Sequence, residues 1–220
     1  MCSLMSAPVA ANINLPPGED GTSQVWSFTT NPDGTTPWYQ VMGIVADAGY
    51  TSPGTPTADV TLTAGIVMAP PGWYEKGDES GHTGFIFGAS ATIDLHIPNN
   101  PRPEPWYKII QAEVIYHIEE YVPGQHGYIN AESYVTAGTA PPYRSVSVDD
   151  HALDDGWREV TIEWRIPQQY PVEVVHLYFV NTGVAIDSIE VATVCIPEPA
   201  TLLLLGGAGL VGWLRKRRVL

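Results

Sequence analysis

Alternation of apolar and polar residues, broken at short intervals by Pro and Gly, is the feature that most limits how this chain can fold. In SATIDLHIP, Ala91, Ile93, Leu95 and Ile97 fall on one face, and Thr92, Asp94 and His96 on the other. In REVTIEWRIP, Val160, Ile162, Trp164 and Ile166 alternate with Glu159, Thr161, Glu163 and Arg165. A period of two with charged residues on one side is the pattern of a half-buried antiparallel strand. KIIQAEVIYHIEEYV keeps Ile110, Ala112, Val114, Tyr116 and Ile118 in register, and VEVVHLYFV, apolar on both faces, predicts a central strand.

Further strands are expected in SQVWSFTT, TPWYQVMGIV, ADVTLTAGIVM, TGFIFG, GYINAESYVTAG and GVAIDSIEVATV. Turn signals separate them, among them Asn31-Pro32-Asp33-Gly34, Ser52-Pro53-Gly54, Pro70-Pro71-Gly72 and Asn181-Thr182-Gly183. No helix-period stretch occurs between Asn12 and Thr193. About ten strands are too many for one open sheet with a polar back, so an all-β fold is expected: a two-sheet antiparallel sandwich, most simply a jelly roll. No repeat of solenoid length is present.

The C-terminus departs from this pattern. Ala200 to Leu214 carries no charge, and as a helix its 15 residues rise roughly 22 Å, short of a bilayer core of about 30 Å. Leu202, Leu203, Leu204 and Leu205 cover the whole circumference of one turn, so the segment offers a soluble fold no polar face. Arg215, Lys216, Arg217 and Arg218 follow at once, a basic cluster that would stay on the cytoplasmic side and leave everything upstream facing outward.

Pro197, Glu198 and Pro199, then Ala200 and Thr201, a leucine and glycine stretch and the basic end together resemble a PEP-CTERM sorting signal. The resemblance implies that an exosortase, a membrane peptidase of bacteria that make exopolysaccharide, processes an exported chain at the tripeptide. Transient membrane insertion through the short C-terminal hydrophobic helix is implied with it. The same tail pattern is also described as an ice-binding-protein C-terminal segment, but such a role would want a flat, regular Thr-x-Thr array, and Thr61 with Thr63 does not extend into one. An ordinary short anchor with a chance Pro-Glu-Pro is the competing explanation of the tail.

Export normally requires a basic and apolar N-terminus. MCSLMSAPVAA has neither, although Val9, Ala10 and Ala11 fit the small-residue end of a cleavage region. Residues 1–11 are therefore expected to be the remnant of a signal peptide, with a disordered start as the alternative. The sandwich is expected over 12–194 and the sorting signal over 195–220.

Without the tail, six basic residues face 24 acidic ones, a formal charge of −18. Such a surface repels nucleic acid and anionic lipid, and suits cations or neutral polymers. Cys2 and Cys195 form no Cys-x-x-Cys pair, which excludes a thiolate zinc site. If Cys2 leaves with the signal peptide, Cys195 is left as a free or lipid-modified thiol.

GWREVTIEWRIPQQYPVEVVHLYFVNTGVAIDSIEV resembles the closing strands of galactose-binding-like jelly rolls through Gly156, Trp157, Pro167, Gly183, Ile186, Asp187 and Ile189, with Ser188 in place of a second Asp. The resemblance implies carbohydrate binding and a structural calcium to which Asp187 would contribute. N-terminal acidic residues such as Glu19 and Asp20 are candidate companions, and VDDHALDDGW, with Asp149, Asp150, Asp154 and Asp155, is the densest acidic loop. No other cofactor is indicated.

A glycan platform would use aromatic rings beside polar groups, and Trp38 with Tyr39, Trp73 with Tyr74, and Trp106 with Tyr107 are the candidates, each beside a Pro or Gly turn. Capping the ends of the core is the alternative for each pair. Trp164 belongs to the core, and Trp157 anchors a strand start. Paired carboxylates for glycoside hydrolysis could come from Glu113, Glu119, Glu120 and Glu132, although acidic surface strands carry such residues anyway. The six histidines show no metal spacing. The expectation is an exported, non-enzymatic structural or adhesive protein of a Gram-negative cell envelope or extracellular matrix. A lectin-like module acting on exopolysaccharide is the alternative, and a glycoside hydrolase a distant third.

Overall fold

The computed structural model of the chain describes residues 19–28, 40–47, 55–63, 71–75, 84–98, 106–118, 128–129, 134–138, 142–153, 156–166, 170–180 and 183–197. In chain order the strands are β1 (Glu19–Ser27), β2 (Gln40–Val45), β3 (Thr57–Thr63), β4 (Gly72–Glu75), β5 (Gly84–Gly88), β6 (Ser90–Pro98) and β7 (Trp106–Ile118). They continue as β8 (Tyr128–Ile129), β9 (Tyr134–Ala137), β10 (Tyr143–Arg144), β11 (Ser147–Ala152), β12 (Trp157–Ile166), β13 (Val172–Val180) and β14 (Val184–Pro197). The expected C-terminal helix and the expected signal-peptide remnant lie outside the described residues.

Two seven-stranded antiparallel sheets result. Sheet A runs β11-β12-β7-β14-β5-β4, with β1 also on β14; sheet B runs β10-β9-β13-β6-β3-β2, with β8 also on β13. The sheets stack because each has one apolar face, and a period of two puts every second side chain there. Val160, Ile162, Trp164 and Ile166 of β12, with Ile110, Ala112, Val114 and Tyr116 of β7, meet Ala91, Ile93, Leu95 and Ile97 of β6 in one core. Trp26 of β1 joins the layers, its indole N–H donating to the Ile44 carbonyl of β2 at 3.1 Å.

β13 differs from the expected two-sided apolar strand. Val175, Leu177 and Phe179 are buried, whereas Val174, His176 and Tyr178 lie on the opposite face and Val172 is exposed. Flanking partners on both edges make β13 internal to sheet B, but no second layer of the described residues covers its outer face.

β14 is the structural axis of sheet A. On one side it pairs with β7 from Val184 to Pro197. On the other it pairs with β5 through Val184, Ala185 and Ile186, then with β1 from Ser188 to Cys195. Asp187 sits at the changeover, where the register with β7 shifts and its carbonyl accepts the Phe28 N–H at 3.0 Å. A bulge here lets one strand hand its edge from one neighbour to the next.

The acidic segment expected as a loop is in part an edge strand: Asp149 and Asp150 belong to β11, paired with β12. Asp150 accepts from Arg158 Nε at 3.0 Å, and the Tyr116 hydroxyl donates to it at 3.3 Å. Charged side chains along an edge strand discourage pairing with another chain. Asp154 and Asp155 lie outside the described residues.

Candidate functional site

The polar face of sheet B is the most organised surface. Antiparallel register aligns Asp59 of β3, Asp94 of β6, His176 of β13 and Tyr134 of β9 in one row across four strands. His176 Nδ1 lies 2.7 Å from Asp94 Oδ1, and its Nε2 lies 3.0 Å from Thr136 Oγ1. With the ring proton on Nδ1, the imidazole donates to the carboxylate and accepts from the threonine hydroxyl. A second pair repeats the chemistry one row away, His96 Nε2 lying 3.0 Å from Asp59 Oδ2, while Asp59 Oδ1 accepts the Gly43 N–H at 2.7 Å.

Two tyrosines frame this row. The Tyr134 ring lies over His176, with centroids 4.4 Å apart, and is stacked beside Tyr178 at 5.9 Å. Their hydroxyls are 3.3 Å apart. That hydrogen bond, then burial, pushes the Tyr178 phenol up to about 12. Carboxylate, imidazole and hydroxyl follow in the order of a nucleophile relay. Thr136, however, stands within a ladder between β13 and β10, where neighbouring backbone N–H groups are used by strand pairing rather than aimed at a reacting oxygen. What the face offers is a flat set of fixed hydroxyl, carboxylate and ring edges.

The outer face of sheet A is different. Glu113 of β7 lies opposite Glu190 of β14 and Thr161 of β12. Burial, then the charges of Glu159 and Glu190, raise the Glu113 carboxyl to about 7. Glu190 accepts the Ser23 hydroxyl at 2.7 Å through Oε1, whereas Oε2 is buried without a hydrogen bond. Glu113 and Glu190 are only 7% and 9% exposed, so the pair is closed to a polymer. Glu119, Glu120 and Glu132, the partners weighed for Glu113 from sequence, lie outside the described residues. Glu159 and Glu190 take that place because strand order, not sequence distance, sets neighbours.

Beside these carboxylates, Phe87, Trp157 and Ala185 form a second small core with Tyr74, Phe85 and Ile115 packed on it. Tyr74 stacks on Phe85 at 5.9 Å, and His117 meets the Trp157 edge at 5.5 Å. Of the expected aromatic pairs, Trp73 with Tyr74 is thereby divided in role. Trp73 and Tyr74 occupy opposite faces of β4: Trp73 packs on the main core and donates to the Phe28 carbonyl at 2.6 Å, while Tyr74 joins the outer cluster. Tyr107 is half-buried in β7. Trp38, Tyr39 and the Trp106 side chain lie outside the described residues.

Among the described residues, no group of three or more His, Cys, Asp or Glu is arranged to hold a metal ion. Strand register does not bring Glu19 beside Asp187, the residue expected to contribute to a structural calcium. Glu19 pairs with Cys195, eight residues along β14 from Asp187 and roughly 26 Å away.

The sorting junction is continuous with the fold. Pro197 is the last residue of β14 and pairs with Trp106 at the start of β7. Cys195, two residues earlier, is a buried thiol on the core face, out of reach of lipid modification while β14 is in place. Glu198, Pro199, Arg215, Lys216, Arg217 and Arg218 lie outside the described residues.

No curated protein and no solved structure matches the chain. Residues 196–218 match the PEP-CTERM protein-sorting motif, which marks an exported protein that an exosortase processes and whose C-terminal tail is membrane-associated until then.

Proposed function

We propose that the sandwich is a non-enzymatic structural or adhesive component of the cell envelope or exopolysaccharide matrix of a Gram-negative bacterium. The observation that carries this reading is the seam between fold and sorting motif. The strand that enters the motif is an internal strand of sheet A, hydrogen-bonded to β7 on one side and to β5 and β1 on the other. A pull at the C-terminal end of β14 is therefore met by two ladders loaded along their length. An enzyme needs no such coupling, whereas a protein held at a surface or within a polymer does.

Deleting the gene in its host and measuring retained exopolysaccharide and cell cohesion tests the proposal. Loss of cohesion restored by the full chain, but not by one lacking residues 198–220, is expected. Unchanged cohesion, or turnover of polysaccharide by the purified chain, would refute it.

A lectin-like role on exopolysaccharide is the second reading, favoured by the sheet B face of Asp94, His176, Thr136, Tyr134 and Tyr178. Pre-set hydroxyl and carboxylate groups beside flat rings suit neutral sugars, and the acidic body disfavours anionic polymers. The closing strands, which alternate between sheets as β12, β13 and β14, are compatible with the galactose-binding-like jelly roll they resemble. Glycan-array binding that disappears in Tyr134→Ala and Asp94→Ala, with the fold intact by circular dichroism, is the expected result. Binding unchanged in both variants would discard this face.

A further inference from the structure

Lys108 and Glu173 are the most deeply placed charged side chains of the described fold. Lys108 belongs to β7 of sheet A and Glu173 to β13 of sheet B, and the Lys108 ammonium contacts Glu173 Oε2 across the sandwich. Their exposures are 1% and 0%. Both stand in the phase that faces the core: Lys108 precedes Ile110, Ala112 and Val114, and Glu173 precedes Val175, Leu177 and Phe179. In register beside Lys108 are Ile166 of β12 and Cys195 of β14; beside Glu173 are Ile97 of β6 and Ala137 of β9.

Withdrawing an ammonium and a carboxylate from water is expensive, and in many proteins their mutual attraction does not fully offset it. A neutral group joining the same two atoms would keep the contact and remove both charges. The surroundings also favour its formation. Condensation must move protons from this nitrogen to the departing oxygen, and the contact gives them a direct path. The fold then holds a nucleophilic nitrogen at contact distance from a carboxyl group, the condition under which a two-body reaction becomes effectively intramolecular.

We infer that Lys108 and Glu173 condense into an intramolecular isopeptide bond that rivets the two sheets. The Lys108 nitrogen attacks Glu173 Cδ, the Cδ–OH bond breaks, and the departing oxygen leaves as water with a proton released by the nitrogen. One amide forms and one water is lost, with no oxidant, reductant or cofactor. The link joins residues 65 apart in sequence and lies in the row of Cys195, at the end of β14 that enters the sorting motif. A covalent tie there resists separation of the sheets where a tethered chain would be pulled. The inference stands apart from the adhesive reading, since cross-linking can fail while cohesion is kept, or the reverse.

Mass spectrometry of the full-length purified chain is the test. The folded protein should be one water lighter than its sequence mass, and proteolysis should yield a branched peptide joining Lys108 to Glu173. Lys108→Arg and Glu173→Ala should each restore the full sequence mass, whether or not the variants fold. A wild-type chain that is folded by circular dichroism yet carries the full mass, or a water loss that maps elsewhere, such as a succinimide at an Asp, would overturn the inference.

Discussion

At the residue scale, Glu113 makes the fold sensitive to pH. Its carboxyl is raised from an ordinary value of 4.5 to about 7 by burial and by the neighbouring Glu159 and Glu190 charges. The folded state therefore holds this proton more tightly than the unfolded chain does. The stabilisation is fully present below about pH 4.5 and is lost as pH rises to about 7, on the order of 1–3 kcal/mol. Glu113→Gln should unfold at a higher temperature than wild type at pH 8 and near the wild-type temperature at pH 4; equal shifts at both would contradict this origin. Gly84 is a steric requirement of a different kind. A Cβ there would lie 2.7 Å from both the Phe28 carbonyl oxygen and the Trp73 ring, so Gly84→Ala should cost about 1–3 kcal/mol in urea unfolding. Alternation alone marks Ala91, Ile93, Leu95, Ile97, Val160, Ile162, Trp164 and Ile166 as core, and all eight are buried. The same logic, followed strictly, would have placed Lys108 and Glu173 inward, because both share the phase of their buried neighbours. Their chemistry points the other way, because a charged residue at a strand end ordinarily faces water.

At the element scale, β14 carries the sheet and β11 borders it. Val191→Pro removes a donor from a strand paired on both sides and should cost about 3 kcal/mol or more, enough to leave the protein largely unfolded or insoluble. Asp149→Lys alters an exposed edge whose partner His151 is equally open to water, and should change stability by no more than about 0.5 kcal/mol. A severe effect at Asp149, or a mild one at Val191, would reverse the hierarchy of the strands. Strand positions in this chain were legible from periodicity, but neighbour relations were not. Asp94, Thr136 and His176 are distant in sequence and meet only because β6, β13 and β9 lie side by side. Glu113 likewise finds Glu190 and Glu159 through strand order. Strand register also carries Glu19 to the end of β14 far from Asp187, a separation that spacing in the sequence does not display.

At the scale of the whole molecule, an acidic two-sheet body is joined without a linker to a sorting motif at residues 196–218. The body supplies shape and stiffness, and the tail supplies an address. Their junction matters because Pro197 is at once the end of a strand and the first residue of the Pro-Glu-Pro tripeptide, so no residue separates the strand from the motif. Reversing Arg215, Lys216, Arg217 and Arg218 to Glu should abolish membrane retention before processing and leave the chain uncut, seen by fractionation as an unprocessed soluble species. The most direct test of the central claim, an exported sandwich sorted and cut at its C-terminus, is the mass of the mature protein recovered from a host with an active exosortase. The account expects a chain that lacks the tail from about Ala200 onward, with residues through β14 intact. A mature chain that still ends at Leu220 would contradict it and make the tail an ordinary anchor.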